Sequence, residues 1–131
     1  MGNNLLRVLF SSTCNSPCSF CVSPKSLNIN DTIKLADYII QNANIVNYLH
    51  FNDNCLMSHK AEFLSFLGIL ESNGLRALPK YGKCRAGLLD ILTADMLRYY
   101  GFCSLGIGVE SFDDRILQDL NKGFSVKEIE K

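Results

Sequence analysis

The sequence lacks an excess of either charge, because its 13 lysine and arginine residues balance 13 aspartate and glutamate residues. It also has no run of basic residues, so long-range electrostatics give no indication of a nucleic-acid or membrane surface. Its apolar runs are short and interrupted by polar residues, and none approaches the roughly 20 residues of a membrane-spanning helix. These absences favour one soluble, globular domain.

The beginning of the chain also lacks the features of a secretory signal. Asn3 and Asn4 lead directly into the apolar run at residues 5–10, without a basic start, a long apolar middle or a small-residue cleavage site. A cytoplasmic location is therefore predicted. In such a reducing compartment, cysteines are more often ligands or buried thiols than disulfides.

Segments with strand and helix patterns alternate four times along the chain. Apolar runs predict strands at residues 5–10, 45–51, 75–83 and 104–109. Helical spacing, capping residues and terminal glycines predict helices at residues 31–43, 58–73, 93–101 and 113–123. Because each parallel strand connection needs a crossover helix, the alternation predicts an α/β fold with a parallel sheet.

Candidate functional residues follow each predicted strand. The first strand leads into a cysteine-rich loop, and polar residues follow the other three at positions 52–53, 83–85 and 110–111. The carboxyl ends of parallel strands meet at one edge of a sheet. All four segments are therefore predicted to gather on one rim.

Three of the six cysteines, Cys14, Cys18 and Cys21, fall within eight residues. Three thiolates in a tight loop can ligate three irons of a cubane cluster and leave the fourth iron open to a small molecule. Structural zinc is the alternative. It usually takes four ligands in closely spaced pairs, and the sequence has no second pair.

The other cysteines and both histidines have plainer interpretations. Cys55, Cys84 and Cys103 are predicted to be buried thiols, and His50 and His59 to be packing or capping residues. Cys55, Cys84 or either histidine would also serve as a missing zinc ligand.

Two segments carry a resemblance to a known family. TCNSPCSFC resembles the C-x3-C-x-aromatic-C signature of the radical S-adenosylmethionine (radical SAM) superfamily, with Phe20 in the aromatic place, which we count as a cofactor-binding position. GIGVESFDDRILQDLNKG, residues 106–123, resembles a block of the branch with cobalamin-dependent and methylthiotransferase-like members. The resemblance implies a partial (βα) TIM-like barrel with about four of the usual six βα units.

The resemblance also implies roles for individual residues. Cys14, Cys18 and Cys21 would hold a 4Fe-4S cluster, and S-adenosylmethionine would bind its open iron. Glu110 would contact the ribose hydroxyls of S-adenosylmethionine with the support of Ser111.

Three more positions match cofactor-binding places of the family. Lys122 would approach the methionine carboxylate, Asp53 belongs to a second-strand motif near the methionine amine, and Arg85 holds a third-strand position that is often basic. The plainer alternatives are a solvated loop acid at Glu110, helix-end electrostatics at Lys122 and a surface ion pair at Arg85.

The function implied by the resemblance is reductive cleavage of S-adenosylmethionine to a 5'-deoxyadenosyl radical that acts on an unidentified substrate. An electron donor would be a further partner. Neither a corrinoid-binding domain nor an additional cysteine cluster occurs in the sequence, so cobalamin and a second cluster are not predicted.

The end of the sequence resembles an interrupted core. Ser125 and Glu128 form a capping box for a helix that stops at Lys131, and the last two strands of the family core are missing. Residues 1–131 are therefore interpreted as a core truncated after its fourth strand. It would be either a fragment of a longer barrel or a reduced protein whose sheet a partner chain completes. The alternative functions are an inactive, truncated cluster-binding module and a zinc-stabilised interaction domain.

Overall fold

A computed structural model describes residues 4–22 and 29–130. In these ranges one sheet contains four strands: β1 Leu5–Val8, β2 Tyr48–Phe51, β3 Lys80–Arg85 and β4 Phe102–Gly108. The described helices are α1 Thr32–Asn42, α2 Lys60–Ser72, α3 Ile91–Tyr99, α4 Asp114–Asp119 and α5 Val126–Ile129. Single 3-10 turns, Leu56–His59 and Ala86–Leu88, follow β2 and β3.

The strands lie in the order β1-β2-β3-β4, and every neighbouring pair is parallel. A helix follows each strand, as expected for parallel strands joined by crossovers. The predicted α/β fold with a partial barrel of four parallel βα units is therefore confirmed. All four strands end at the same edge of the sheet, which is where the candidate functional loops begin.

Phenylalanine rings fill the space between the sheet and α2. The rings of Phe10 and Phe63 meet edge to face with centroids 5.0 Å apart. Phe51 stacks on Phe102 at 5.8 Å and meets Phe63 at 5.3 Å. Large buried aromatic rings contribute much of the apolar area that stabilises a small domain. This packing fixes the strands that carry the candidate site.

Local capping signals predict most helix starts correctly. Asp31 accepts hydrogen bonds from the backbone N–H groups of Ile33 and Lys34 at the start of α1. The capping box of Ser125 and Glu128 at α5 is also confirmed. These contacts involve residues two or three positions apart, so the sequence alone specifies them.

The prediction that Thr93 caps α3 is wrong. The cap is Asp90, whose carboxylate accepts the backbone N–H of Thr93 at 2.7 Å, and the helix begins at Ile91. Both residue types are good caps, and the Asp90 carboxylate accepts the orphan N–H of Thr93, the third residue of the helix.

Helix α4 is shorter than predicted. It ends at Asp119 and not at Gly123, because Asn121 already adopts the left-handed conformation with φ of 51°. Asparagine tolerates that conformation better than most residues. The chain therefore turns back two residues before the glycine.

The third strand lies further along the chain than the sequence predicts. The predicted segment is 75–83, whereas β3 runs Lys80–Arg85. Pro79 has no backbone N–H with which to extend the sheet, and turns occupy most of the preceding positions. The other predicted strands overlap β1, β2 and β4 and differ at their ends by up to three residues.

The ammonium group of Lys80 closes the turn before β3. Lys80 is fully buried, and its Nζ donates to the carbonyl oxygens of Leu75, Arg76 and Leu78 at 2.8–3.0 Å. Burial lowers the pKa of Lys80 to about 8, so the amine is still mostly protonated at neutral pH. This one side chain therefore satisfies three carbonyl groups.

We expect Lys80→Met to lower the free energy of unfolding by about 2–4 kcal/mol, because three part-buried carbonyl groups lose their charged donor. Urea denaturation under reducing conditions measures the change. Lys34→Met is the matched control, since Lys34 is exposed in its ion pair with Asp31 and should change stability by less than about 0.5 kcal/mol. Equal stability of the two variants would contradict the structural role of Lys80.

The prediction of three buried thiols outside the loop is correct for Cys55 and Cys84 and wrong for Cys103, which is exposed. Lys80 pairs with Phe102 but Tyr81 pairs with Ser104, so Cys103 is the extra residue of a β-bulge. A bulge turns the side chain of its extra residue out of the regular alternation, which explains the exposure of Cys103.

No helix in the described ranges is long and apolar enough to cross a membrane.

Candidate cofactor site

A cavity of about 370 Å³ lies at the carboxyl ends of the strands. It brings together residues from the cysteine loop, β3, β4 and the segment after α4. Its lining includes most of the residues that the sequence predicts as functional: Cys14, Cys18, Phe20, Cys21, Arg85, Glu110 and Lys122. The cavity therefore lies at the rim where the sequence predicts that the strand-end segments gather.

A buried carboxylate holds the start of the cysteine loop. Asp53, directly after β2, accepts the backbone N–H groups of Phe10 at 3.0 Å and Ser11 at 2.6 Å. Burial raises the pKa of the Asp53 carboxyl group, and the two N–H donors oppose that effect. Asp53 thus positions the loop and lies outside the cavity lining. Its predicted contact with a methionine amine stays a prediction.

The loop is fixed on its other side by the end of α4. Ser19 donates its backbone N–H to the carbonyl of Leu120 at 3.0 Å, and Asn121 donates its side-chain amide to the carbonyl of Pro17 at 2.9 Å. Thr13 shares a hydrogen bond of 3.1 Å with Nε2 of His59, a buried residue before α2. Contacts with residues far along the chain therefore hold the loop that carries the cysteines.

The three loop cysteines present thiols to one cavity. Cys14 and Cys18 are 7% and 9% exposed, and Cys21 is half-buried. All six cysteines lie in the described ranges, and none is in a disulfide. In those ranges no three His, Cys, Asp or Glu side chains converge on a point that would hold a single metal ion.

The two metal chemistries considered from the sequence need different arrangements of ligands. A structural zinc ion draws four ligands to one point in a tetrahedron. A cubane cluster takes its thiolates on different irons, so the sulfur atoms stay apart. The three thiols of one loop that line a single cavity match the number of protein ligands that a cubane with one open iron takes.

A buried ammonium group faces the cysteine loop across the cavity. The side chain of Lys122 is 4% exposed, and its Nζ lies 3.3 Å from Oε1 of Glu110. The same Nζ lies 5.7 Å from the ring centre of Phe20 and 5.6 Å from that of Phe124, within the range of cation–π attraction. The structure thus assembles Phe20, Glu110 and Lys122, three predicted site residues, into one cluster.

Glu110 itself has an unusual backbone. Its φ is 72°, a left-handed conformation that is uncommon for residues other than glycine, asparagine and aspartate. Such a conformation persists where surrounding contacts hold it, and it is frequent at functional sites. Here it directs the carboxylate toward Lys122 at the exit of β4.

Arg85 and Ser111 differ in their placement. Arg85 lines the cavity at the end of β3, and its guanidinium lies 5.5 Å from the ring centre of Phe124. Ser111 lies outside the lining, and its hydroxyl accepts the backbone N–H of Asp113, the residue that caps α4. The position of Ser111 thus gives it a local structural role, and its support of a ribose contact stays a prediction.

The lining also includes residues that were not singled out from the sequence as site residues, among them Asn54, Tyr81, Lys83 and Cys84. Asn54 follows the residue chosen from the second-strand motif. Lys83 and Cys84 fall within the segment predicted to end on the rim, which was the available signal. Nothing in the local pattern indicates Tyr81.

Cys55 and Cys84 form a buried thiol pair, of which Cys84 lines the cavity. The hydrogen bond between their side chains lowers the pKa of Cys55 to about 6 and raises that of Cys84. The sulfur of Cys84 also lies 3.4 Å from the carbonyl oxygen of Arg85. The pair thus joins the segment after β2 to the end of β3.

Several solved radical SAM enzymes have a similar fold. TsrM from Kitasatospora setae, a radical S-adenosylmethionine methyltransferase solved with tryptophan substrate and a SAM analogue, superposes with a TM-score of 0.81 and 18% identity over 98% of this chain. The cobalamin-dependent enzyme OxsB gives a TM-score of 0.68 and 19% identity over 95%. Coproporphyrinogen III oxidase (HemN) from Escherichia coli gives 0.66 and 20% over 97%.

No protein-family model and no curated protein sequence matches the chain. At the identities given, the structural likeness establishes the fold: the chain has the fold of part of the radical SAM barrel. It spans 27%, 21% and 32% of the lengths of the TsrM, OxsB and HemN chains. The resemblance drawn from the cysteine and glycine motifs is therefore confirmed at the level of fold.

Proposed function

We propose that this chain is a radical SAM core that holds a 4Fe-4S cluster on Cys14, Cys18 and Cys21 and binds S-adenosylmethionine beside it. The observation that carries the proposal is one cavity lined by three thiols of a single loop and by the Lys122 and Glu110 side chains. Cluster ligands and groups suited to the cofactor's charged and hydroxyl groups thus occur together.

The cysteine loop is suited to hold a cluster with one open iron. Its three thiols would ligate three irons and leave the fourth to S-adenosylmethionine. The loop is held near its start by Asp53 and in its middle by Asn121, which binds the carbonyl of Pro17. Such outer contacts orient ligands before metal binds, which strengthens binding.

Lys122 and Glu110 offer complementary contacts to S-adenosylmethionine. An ammonium group has three donors, and Lys122 directs one of them toward Glu110. The others are suited to the methionine carboxylate. The Glu110 carboxylate is 42% exposed and can accept hydrogen bonds from the ribose hydroxyls. Phe20 would cover the cluster and limit the access of water, and Arg85 would add a positive charge at the cavity wall.

The bound cluster would supply an electron that cleaves S-adenosylmethionine to methionine and a 5'-deoxyadenosyl radical, which abstracts hydrogen from a substrate. The residues of this chain would aim and shield that chemistry. An electron donor and a substrate are the required partners, and a reducing, cytoplasmic location suits the exposed cofactor. Asp53 and Ser111 would act through the loops that they hold.

Anaerobic reconstitution with iron and sulfide tests the proposal. We expect about four irons per chain, a brown chromophore and a spectral change on addition of S-adenosylmethionine, because the open iron gains ligands. With dithionite as electron donor, 5'-deoxyadenosine should form and can be measured by liquid chromatography.

The other outcomes separate the alternative functions. Cluster uptake without 5'-deoxyadenosine would indicate a cluster-binding module, and retention of zinc in place of iron would indicate a zinc-stabilised domain. A colourless, iron-poor protein would refute both cluster-based functions.

A further inference from the structure

The sheet has a second functional feature on the side that faces away from the phenylalanine core. Leu49 and Phe51 are fully buried, so the alternating residue His50 points to the opposite face of β2. Register places Arg7 and Tyr81 beside His50 on the neighbouring strands. Residues paired in this way share a face of the sheet.

Lys83 lies on this face as well, two positions after Tyr81 in β3. The glycine paired with Lys83 in β4 is Gly106. A Cβ atom added to Gly106 would lie 3.0 Å from the Tyr81 hydroxyl and 3.5 Å from Cγ of Lys83. The glycine therefore leaves a space bordered by both side chains.

We call Arg7, His50 and Lys83 the basic face. Among the described residues neither Arg7 nor Lys83 takes part in an ion pair, although the chain as a whole has equal numbers of acidic and basic residues. Burial, together with the positive charges of Arg7 and Lys83, lowers the pKa of His50. The three groups are thus close enough to interact, and no carboxylate in the described ranges is paired with either cation.

The imidazole of His50 also has an unsatisfied polar atom. Its Nε2 is shielded from solvent and has no hydrogen-bond partner in the part of the chain that the structure describes. Its ring meets the Tyr81 ring edge to face, with centroids 4.5 Å apart. Buried polar atoms are normally hydrogen-bonded, and an exception indicates a group that is missing from its surroundings.

We propose that the basic face binds an oxyanion group, a carboxylate or a phosphate, of the substrate. An anion there would accept hydrogen bonds from Arg7 and Lys83 and from the imidazole of His50, and it would balance their charge. The face adjoins the candidate cofactor site, because Tyr81 and Lys83 line the cavity. The assignment of the anion to a radical SAM substrate rests on the proposed function, whereas anion binding itself does not.

Nuclear magnetic resonance of the imidazole ring tests the proposal in the full chain, before and after cluster loading. The chain has two histidines, so His50 and His59 give two assignable Hε1 signals. Inorganic phosphate and succinate are titrated at constant pH and constant ionic strength. We expect a saturable shift of the His50 signal. The His59 signal should move little, because Nε2 of His59 shares a hydrogen bond with Thr13.

Arg7→Gln and Lys83→Gln should each weaken the fitted affinity by about tenfold or more, since each removes a charge-assisted hydrogen bond. Lys34→Gln, at an exposed lysine of α1, is the matched control and should bind as the parent chain does. The probe that binds with the higher affinity shows whether the face prefers a phosphate or a carboxylate.

A linear, unsaturated response to both probes would overturn the proposal, as would Arg7→Gln and Lys83→Gln variants with the affinity of the parent chain. The unloaded chain keeps this result separate from the proposed function. Anion binding without cluster uptake would support the basic face and refute the radical SAM function. Cluster uptake without anion binding would support the radical SAM function and refute the basic face.

Discussion

Replacing any one of Cys14, Cys18 and Cys21 by alanine is expected to reduce iron after anaerobic reconstitution from about four per chain to less than about one. Each thiolate would anchor a separate iron, so the loss of one leaves two anchors for the cube. Formation of 5'-deoxyadenosine with dithionite should fall below detection in all three variants. Iron analysis, the visible absorption spectrum and product chromatography measure these effects.

Cys103→Ala is the matched control for this series. Cys103 is an exposed cysteine of β4 outside the loop, and its removal should leave the iron content and the spectrum unchanged. Full iron uptake by any single loop variant would contradict the assignment of that cysteine. Equal loss of iron in Cys103→Ala would show that uptake does not depend on the loop.

Lys122→Met is expected to weaken the binding of S-adenosylmethionine to the cluster-loaded chain by at least about tenfold, because the methionine carboxylate loses a buried cationic partner. Isothermal titration calorimetry under anaerobic conditions measures the affinity. Lys122→Arg keeps the charge and should retain more of the affinity than Lys122→Met. Iron content should stay near that of the parent chain in both variants, since neither removes a thiol.

Lys127→Met is the control for Lys122→Met, because Lys127 is an exposed lysine of α5 outside the cavity lining. Unchanged cofactor affinity in Lys122→Met would reject the proposed contact and leave Lys122 as a structural partner of Glu110. A loss of iron in Lys122→Met would instead indicate that this side chain supports the cysteine loop.

The sequence predicts the parts of the fold that depend on near neighbours. The cap at Asp31 and the box of Ser125 and Glu128 are contacts between residues two or three positions apart, and both occur as predicted. The alternation of strand and helix patterns likewise predicts that the strands of the sheet are parallel. The errors arise where two local signals compete, as at Asp90 and Thr93, or where a sheet partner decides the bounds of a strand, as at β3.

In the candidate site, too, the sequence predicts the features that depend on near neighbours, and the pairing of the strands decides others. The spacing of the loop cysteines and the glycine motif before Glu110 are readable in the sequence, and the cavity contains both. The exposure of Cys103 was not readable, because it results from a bulge in the pairing of β3 with β4. Tyr81 lines the cavity although no local pattern indicated it, whereas Lys83 belongs to the segment that was predicted to end on the rim.

By itself, the sequence determined the alternation of strands and helices and the close spacing of three thiols. It also determined the rim at which the loops meet. These features follow from local geometry and from the chirality of the chain. Only the tertiary structure decided that Lys122 is buried against Phe20, 102 positions away (122 − 20), and that Asp53 holds the start of the cysteine loop. Those contacts join residues distant in sequence, and their energies depend on burial and on dielectric surroundings that exist once the chain has packed.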